Sequence, residues 1–183
     1  MRRRPGIVTQ QAQGMTVLRR LVLFRHAKAD TCEAPDHERP LAARGRRDAP
    51  AGGRWLREAG LRPDRVVCST ARRTQETWAL AAAELDAAPA VAYDERVYLA
   101  SAGGLLDVLR EVDDEVRTLV VVGHNPGLQQ LALLLAGSGE ADPLARARRK
   151  FPTSGLAVLT FHGSWSRLEP GAAHLADLAV PQG

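Results

Sequence analysis

The sequence predicts an α/β fold: a single-domain three-layer α/β/α sandwich with a mostly parallel central sheet. Three observations predict it. Short, wholly apolar runs such as Leu21-Val22-Leu23-Phe24 and Leu119-Val120-Val121-Val122 read as strands covered on both faces. Segments with helical spacing separate these runs, which implies βαβ units. The chain has 183 residues, 45% of them hydrophobic, which suits one ordinary core. No internal repeat and no second core is evident.

The elements follow in order. Leu18 to Phe24 reads as a strand. Leu41 to Ala59 reads as a helix, with Trp55 and Leu56 on its inner face and Gly60 as its stop. Arg65-Val66-Val67-Cys68 is a short strand, Ala71 to Leu85 a helix, and Ala90 to Tyr93 a short strand. Ser101 caps a helix from Ala102 to Val112, whose Leu105, Leu106 and Leu109 share a face. Thr118 to Val122 is an apolar strand. Asn125 and Pro126 suit the N-cap and first position of a helix running through Leu135. The polar, basic segment 137–152 reads as a solvated helix. Leu156 to Phe161 and Trp165 to Glu169 read as a closing hairpin around His162-Gly163-Ser164.

Charge and composition exclude several function classes. Of the net charge of +4, residues 1–20 supply +5 through Arg2, Arg3, Arg4, Arg19 and Arg20, leaving the rest at −1. Residues 1–17 are expected to be a disordered basic leader, with Met15 as an alternative start, and 18–183 the domain. The leader lacks an apolar stretch, since Gln10, Gln11 and Gln13 occupy its place, so the expectation is cytoplasmic. No apolar run approaches the roughly 18 residues of a membrane span. Neither a membrane nor a nucleic-acid partner is expected, because three of those five arginines, Arg2, Arg3 and Arg4, lie outside the domain and none has aromatic support. Cys32 and Cys68 have neither disulfide-framework nor zinc spacing. Metal and cofactor are expected to be absent, since no paired carboxylate and histidine ligands stand out.

Three short strings carry chemistry. Arg25-His26-Ala27 follows the first strand, and Gly123-His124-Asn125-Pro126 follows the Thr118–Val122 strand. Between them, Ser69-Thr70-Ala71-Arg72-Arg73-Thr74-Gln75-Glu76-Thr77 leaves the Arg65–Cys68 strand and opens a helix. Parallel strands present their exits on one edge, where ligands bind in open α/β sheets. Helix N-termini and arginines attract phosphate. An imidazole beside guanidinium groups is disfavoured as a cation and stays neutral and nucleophilic.

Arg25-His26-Ala27, Ser69-x-x-x-Arg73-Thr74-x-x-Thr77 and Gly123-His124, in that order, resemble the histidine phosphatase superfamily, the phosphoglycerate-mutase-like enzymes. Most members have glycine after the first histidine, where this chain has Ala27. The resemblance is closer to the small SixA-type phosphohistidine phosphatases, which share the Arg39-Pro40-Leu41 segment and lack a large cap domain. It runs from about Leu18 to the C-terminus. It implies that His26 is the nucleophile and becomes phosphorylated, that Arg25 and Arg73 clamp the phosphoryl oxygens, and that His124 donates to them. The resemblance, through the family's spacing after Ser69, implies Arg73 rather than Arg72, which is expected to face solvent.

Two further residues are candidates. Lys28 can reach the phosphate rim, or it is a solvated loop lysine. Glu95, in Asp94-Glu95-Arg96, matches the position of the mutases' proton donor; otherwise it is an exposed carboxylate or pairs with Arg96. Asp30, Asp36 and Glu38 also lie close enough in sequence to approach the cleft, while His37, His162 and His174 read as surface residues. The expected function is a metal-independent phosphatase working through a phosphohistidine intermediate and acting on phosphohistidine in proteins. The alternatives are a small-molecule phosphomonoesterase or mutase of the same family, and a catalytically silent phosphoprotein binder.

Overall fold

The computed structural model describes residues 16–183. The expected leader therefore lies outside the described residues except at positions 16 and 17. The strands are β1 (Leu18–Arg25), β2 (Arg65–Cys68), β3 (Ala90–Tyr93), β4 (Thr118–Gly123), β5 (Ala136–Gly139), β6 (Leu156–His162) and β7 (Ala173–Ala179). The helices are α1 (Ala43–Glu58), α2 (Arg72–Ala82), α3 (Ala102–Arg110), α4 (Gly127–Leu135) and α5 (Ala141–Arg149). The strands form one sheet in the order β3-β2-β4-β1-β6-β7-β5. Among them β6 alone runs against the rest.

Successive residues of the central strands feed opposite cores. Leu21, Leu23, Leu119 and Val121 meet the apolar faces of α3 and α4. Val22, Phe24, Val120 and Val122 meet Leu56 of α1 and Trp78 of α2. Burial on both faces is why these strands read as continuous apolar runs. The resulting three layers match the expected fold class.

The topology places a crevice where the two histidines leave the sheet. From β1 the chain crosses to β2 and β3, then returns through α3 to β4, which lies beside β1. From β4 it departs to the opposite half of the sheet. Such a switch point, at the carboxyl ends of β1 and β4, is where open α/β sheets bind ligands. Close backbone approach fixes the flank of this crevice. A Cβ at Gly45 would lie 2.2 Å from the Lys28 carbonyl oxygen, and one at Gly53 would lie 2.0 Å from that of Ala81. Only glycine lets α1 press against both the loop after His26 and α2.

Three expectations are corrected. Trp165 to Glu169 is not the second hairpin strand: residues 165–167 form a 3₁₀ turn, and the strand is β7. Trp165 and Leu168 are both buried, a three-residue spacing that suits a turn of helix rather than strand alternation. The basic segment is helical only over α5, because 136–139 forms edge strand β5 on β7. Helix α4 begins at Gly127 rather than Pro126, although Asn125 Oδ1 still accepts from the Gln129 N–H.

The two cysteines are unpaired. Cys68 ends β2 in the core, and burial pushes its thiol up to about 12, while Cys32 is exposed in the loop after His26. No helix among the described residues is long and apolar enough to cross a membrane.

Candidate active site

Each motif is anchored to its neighbour by backbone. The His26 N–H donates to the Gly123 carbonyl (3.1 Å) and the Ser69 N–H to that of Val122 (3.0 Å). Thr77 ties the first and second motifs together. Its Oγ1 accepts from the Ala27 N–H at 3.0 Å and donates to the Arg73 carbonyl at 2.7 Å. Thr74 Oγ1 lies 2.9 Å from the Ser69 carbonyl and 2.7 Å from that of Ala71, closing the turn that opens α2.

This scaffold brings His26, Arg73 and His124 into one buried cluster. The imidazole centroids of His26 and His124 are 5.3 Å apart. An Arg73 guanidinium nitrogen lies 3.4 Å from His124 Nδ1. Arginine only donates, so Nδ1 of His124 is the acceptor, and its Nε2–H donates to Ser69 Oγ at 2.8 Å. His26 Nδ1 sits 2.7 Å from the Ala27 carbonyl, which only accepts. The proton of His26 is therefore on Nδ1, and the Nε2 lone pair is free to attack an electrophile.

Both imidazoles are held neutral. His26 is lowered to about 4, chiefly by burial, with the charges of Arg73, Arg25 and Arg39 adding to it and the Ala27 carbonyl opposing. His124 falls to about 3, again through burial first and then the charges of His26 and Arg73. Burial thus outweighs the guanidinium charges that the sequence motifs point to.

Arg25 stands beside this cluster without hydrogen-bonding to it. One guanidinium NH donates to the Phe151 carbonyl at 2.7 Å, and Nε is buried without a partner. Lys28 is exposed and lines a cavity with Arg25; no hydrogen bond joins its ammonium to the cluster. Arg72 faces solvent and pairs with Glu76 at 2.9 Å, as expected. Glu95 is exposed in the turn after β3, with no hydrogen bond to His26, Arg73 or His124. Arg96 pairs with Asp94 and Glu111 instead.

The carboxylate nearest the chemistry is Asp36. Its Oδ2 accepts from Arg73 at 3.0 Å and from the Tyr98 hydroxyl at 2.5 Å, and its carbonyl accepts from Arg73 at 2.6 Å. The Tyr98 hydroxyl and then Arg73 hold its carboxyl down at about 2. Tyr98 also meets the His124 ring edge-on, with centroids 5.5 Å apart, and the exposed His37 packs against Tyr98 at 4.8 Å. Tyr98 was not a sequence candidate. Its signal was its position: it follows β3, another parallel strand leaving by the same edge.

Comparison with known proteins agrees with this geometry. Residues 21–98 match the model of the histidine phosphatase superfamily, branch 1. An uncharacterized protein of Mycobacterium tuberculosis is 45% identical over 162 residues, which cover 87% of this chain and all of that protein. A structure from Nakamurella multipartitia, provisionally described as phosphohistidine phosphatase SixA, superposes with a TM-score of 0.77 at 32% identity, over 90% of this chain and 96% of the other. One from Agrobacterium tumefaciens with the same provisional description gives 0.75 at 28% identity, over 89% and 98%. The chain belongs to the histidine phosphatase superfamily.

Proposed function

We propose that this protein is a phosphatase that removes phosphoryl groups from phosphohistidine in proteins through a phosphohistidine intermediate on His26. The P–N bond of the substrate breaks as His26 Nε2 bonds to phosphorus, and the substrate imidazole leaves with a proton. Water then attacks the phosphoryl group, releasing phosphate and restoring neutral His26. Arg73, Arg25 and His124 supply the positive charge and donors that the equatorial oxygens need in such a transfer.

The observation that carries the substrate choice is the state of the carboxylates. Asp36 is the one carboxylate hydrogen-bonded to the cluster among the described residues, and at about 2 it is ionised and no proton donor. An alkyl phosphate ester leaves as an alkoxide and needs a general acid. An imidazole leaving group takes its proton near neutral pH without one. The likeness to structures provisionally described as phosphohistidine phosphatases supports the same reading. A mutase or phosphomonoesterase role would draw on Glu95, the exposed carboxylate after β3.

The test compares a phosphohistidine peptide with phosphoglycerate and sugar phosphates on one preparation, with a chelator present throughout. The peptide is expected to have the higher kcat/KM, unaffected by chelation. Glu95→Gln is expected to lower ester hydrolysis more than peptide dephosphorylation. A preference for an unactivated alkyl ester by about tenfold or more would make a small-molecule phosphatase the better reading, and rescue by one divalent ion would point to another mechanism.

The neutral nucleophile sets a pH profile. Protonation of His26 removes its lone pair, and its value is lowered to about 4. After correction for substrate ionisation, kcat/KM is expected to hold as pH falls from neutrality and to drop only as pH approaches 4. An acid limb at the ordinary histidine value of 6.5 would contradict a buried, neutral His26.

A further inference from the structure

On the β6 side of His26, at the same edge of the sheet, lies a cavity of about 380 Å³ that His26, Arg73 and His124 do not line. It lies between the start of α1 (Arg44, Asp48), the segment 150–154 and the chain after β7. Arg25, which precedes His26, forms part of its wall, with Lys28 and Lys150. Asp48 is the one carboxylate in the lining, and it is occupied by Arg44 Nε at 3.3 Å and the Gly183 N–H at 3.2 Å. Arg25, Lys28 and Lys150 have no carboxylate partner among the described residues.

Two buried polar atoms in this wall are also unsatisfied. Ser154 is 2% exposed and its buried Oγ has no hydrogen-bond partner among the described residues, and Arg25 Nε has none either. A buried hydroxyl left without a partner costs free energy unless a ligand or water supplies one. Ser154 is further held with φ at 62°, a left-handed conformation unusual for serine, while its N–H donates to the His26 carbonyl at 3.2 Å. Lys28 and Lys150, without carboxylate partners among the described residues, thus line a cavity whose wall is tied to the reacting histidine through the Ser154 N–H.

We propose that this cavity is a second anion subsite, taking a carboxylate or phosphate group carried by the substrate alongside the phosphoryl group that His26 receives. The proposal rests on the phosphatase reading for the place of His26, while the subsite itself stands on the cavity. Lys28 and Lys150 provide the charge-assisted donors, while Arg25, which borders the cavity, stays with the transferring phosphoryl group. The subsite therefore selects phosphorylated residues with acidic neighbours.

The test uses a phosphohistidine peptide flanked by glutamates and the same peptide with glutamines. Wild type is expected to show about a tenfold lower KM for the glutamate peptide, the worth of one or two charge-assisted contacts, with kcat unchanged. Lys150→Ala should abolish that preference and leave the glutamine peptide unaffected. Arg148→Ala, on exposed α5 outside the cavity, should keep it. A preference that survives Lys150→Ala, or that Arg148→Ala removes equally, overturns the subsite in favour of diffuse charge. Calorimetry with sulfate separates a substrate-borne group from a free anion. Two sulfates per chain in wild type and one in Lys150→Ala, with no peptide preference, assign the cavity to a free anion. One sulfate in both, with no peptide preference, overturns the proposal. If neither peptide turns over, the phosphatase reading fails and the sulfate count alone decides the subsite.

Discussion

His26→Ala is expected to lower turnover by at least about 10⁴-fold, the scale of losing a covalent nucleophile. His26 Nε2 is the free lone pair of the cluster, since Nδ1 is committed to the Ala27 carbonyl. Brief incubation of wild type with phosphorylated substrate, followed by an alkaline quench, should leave an acid-labile label on His26. The variant should take up none. Its fold should persist, because the backbone bonds of residue 26 to Gly123 and Ser154 need no imidazole. Near-normal turnover with an intact fold would refute covalent catalysis at this position.

Arg73→Ala should lower kcat/KM by about a hundredfold or more, as expected for losing a preorganised donor to transition-state charge. The adjacent Arg72→Ala should change it less than about threefold, since an exposed ion pair contributes little. Arg73 is buried and reaches both Asp36 and His124, whereas Arg72 meets only Glu76 among the described residues, and Arg46 and the Leu41 N–H also hold that carboxylate. Arg73→Lys should fall between the two, keeping the charge but losing the fork that spans two acceptors. Steady-state kinetics on the three variants decides it. Equal, mild losses would mean that the phosphoryl group is clamped elsewhere.

His26, Arg73 and His124 were legible because each follows directly from a strand whose apolar run is unmistakable. Parallel topology then places such exits together without further information. Asp36 and Tyr98 are a different case. They sit 62 positions apart, and what joins them is the folding of two loops over Arg73, which no local pattern encodes. Strand β5 was invisible for another reason. Ala136-Gly137-Ser138-Gly139 has no strand propensity, and its state comes from β7 alongside it and from close packing of Gly137 against the Gly171 carbonyl, 2.0 Å from where a Cβ would stand. The misplaced hairpin strand reflects period: Trp165 and Leu168 are apolar at helical spacing, and β7 carries a bulge opposite Val158 and Leu159 that breaks its alternation.

The contrast between the two cysteines makes the protein its own reporter. Thiol reagents act on the thiolate, which Cys68 withholds through burial and a value near 12, whereas Cys32 is open to solvent. A maleimide dye added to the native protein therefore marks one of these two positions and leaves the core intact. That position is four residues from Asp36, the carboxylate on Arg73. Fluorescence from the unaltered sequence then follows the loop over the cleft as ligand arrives.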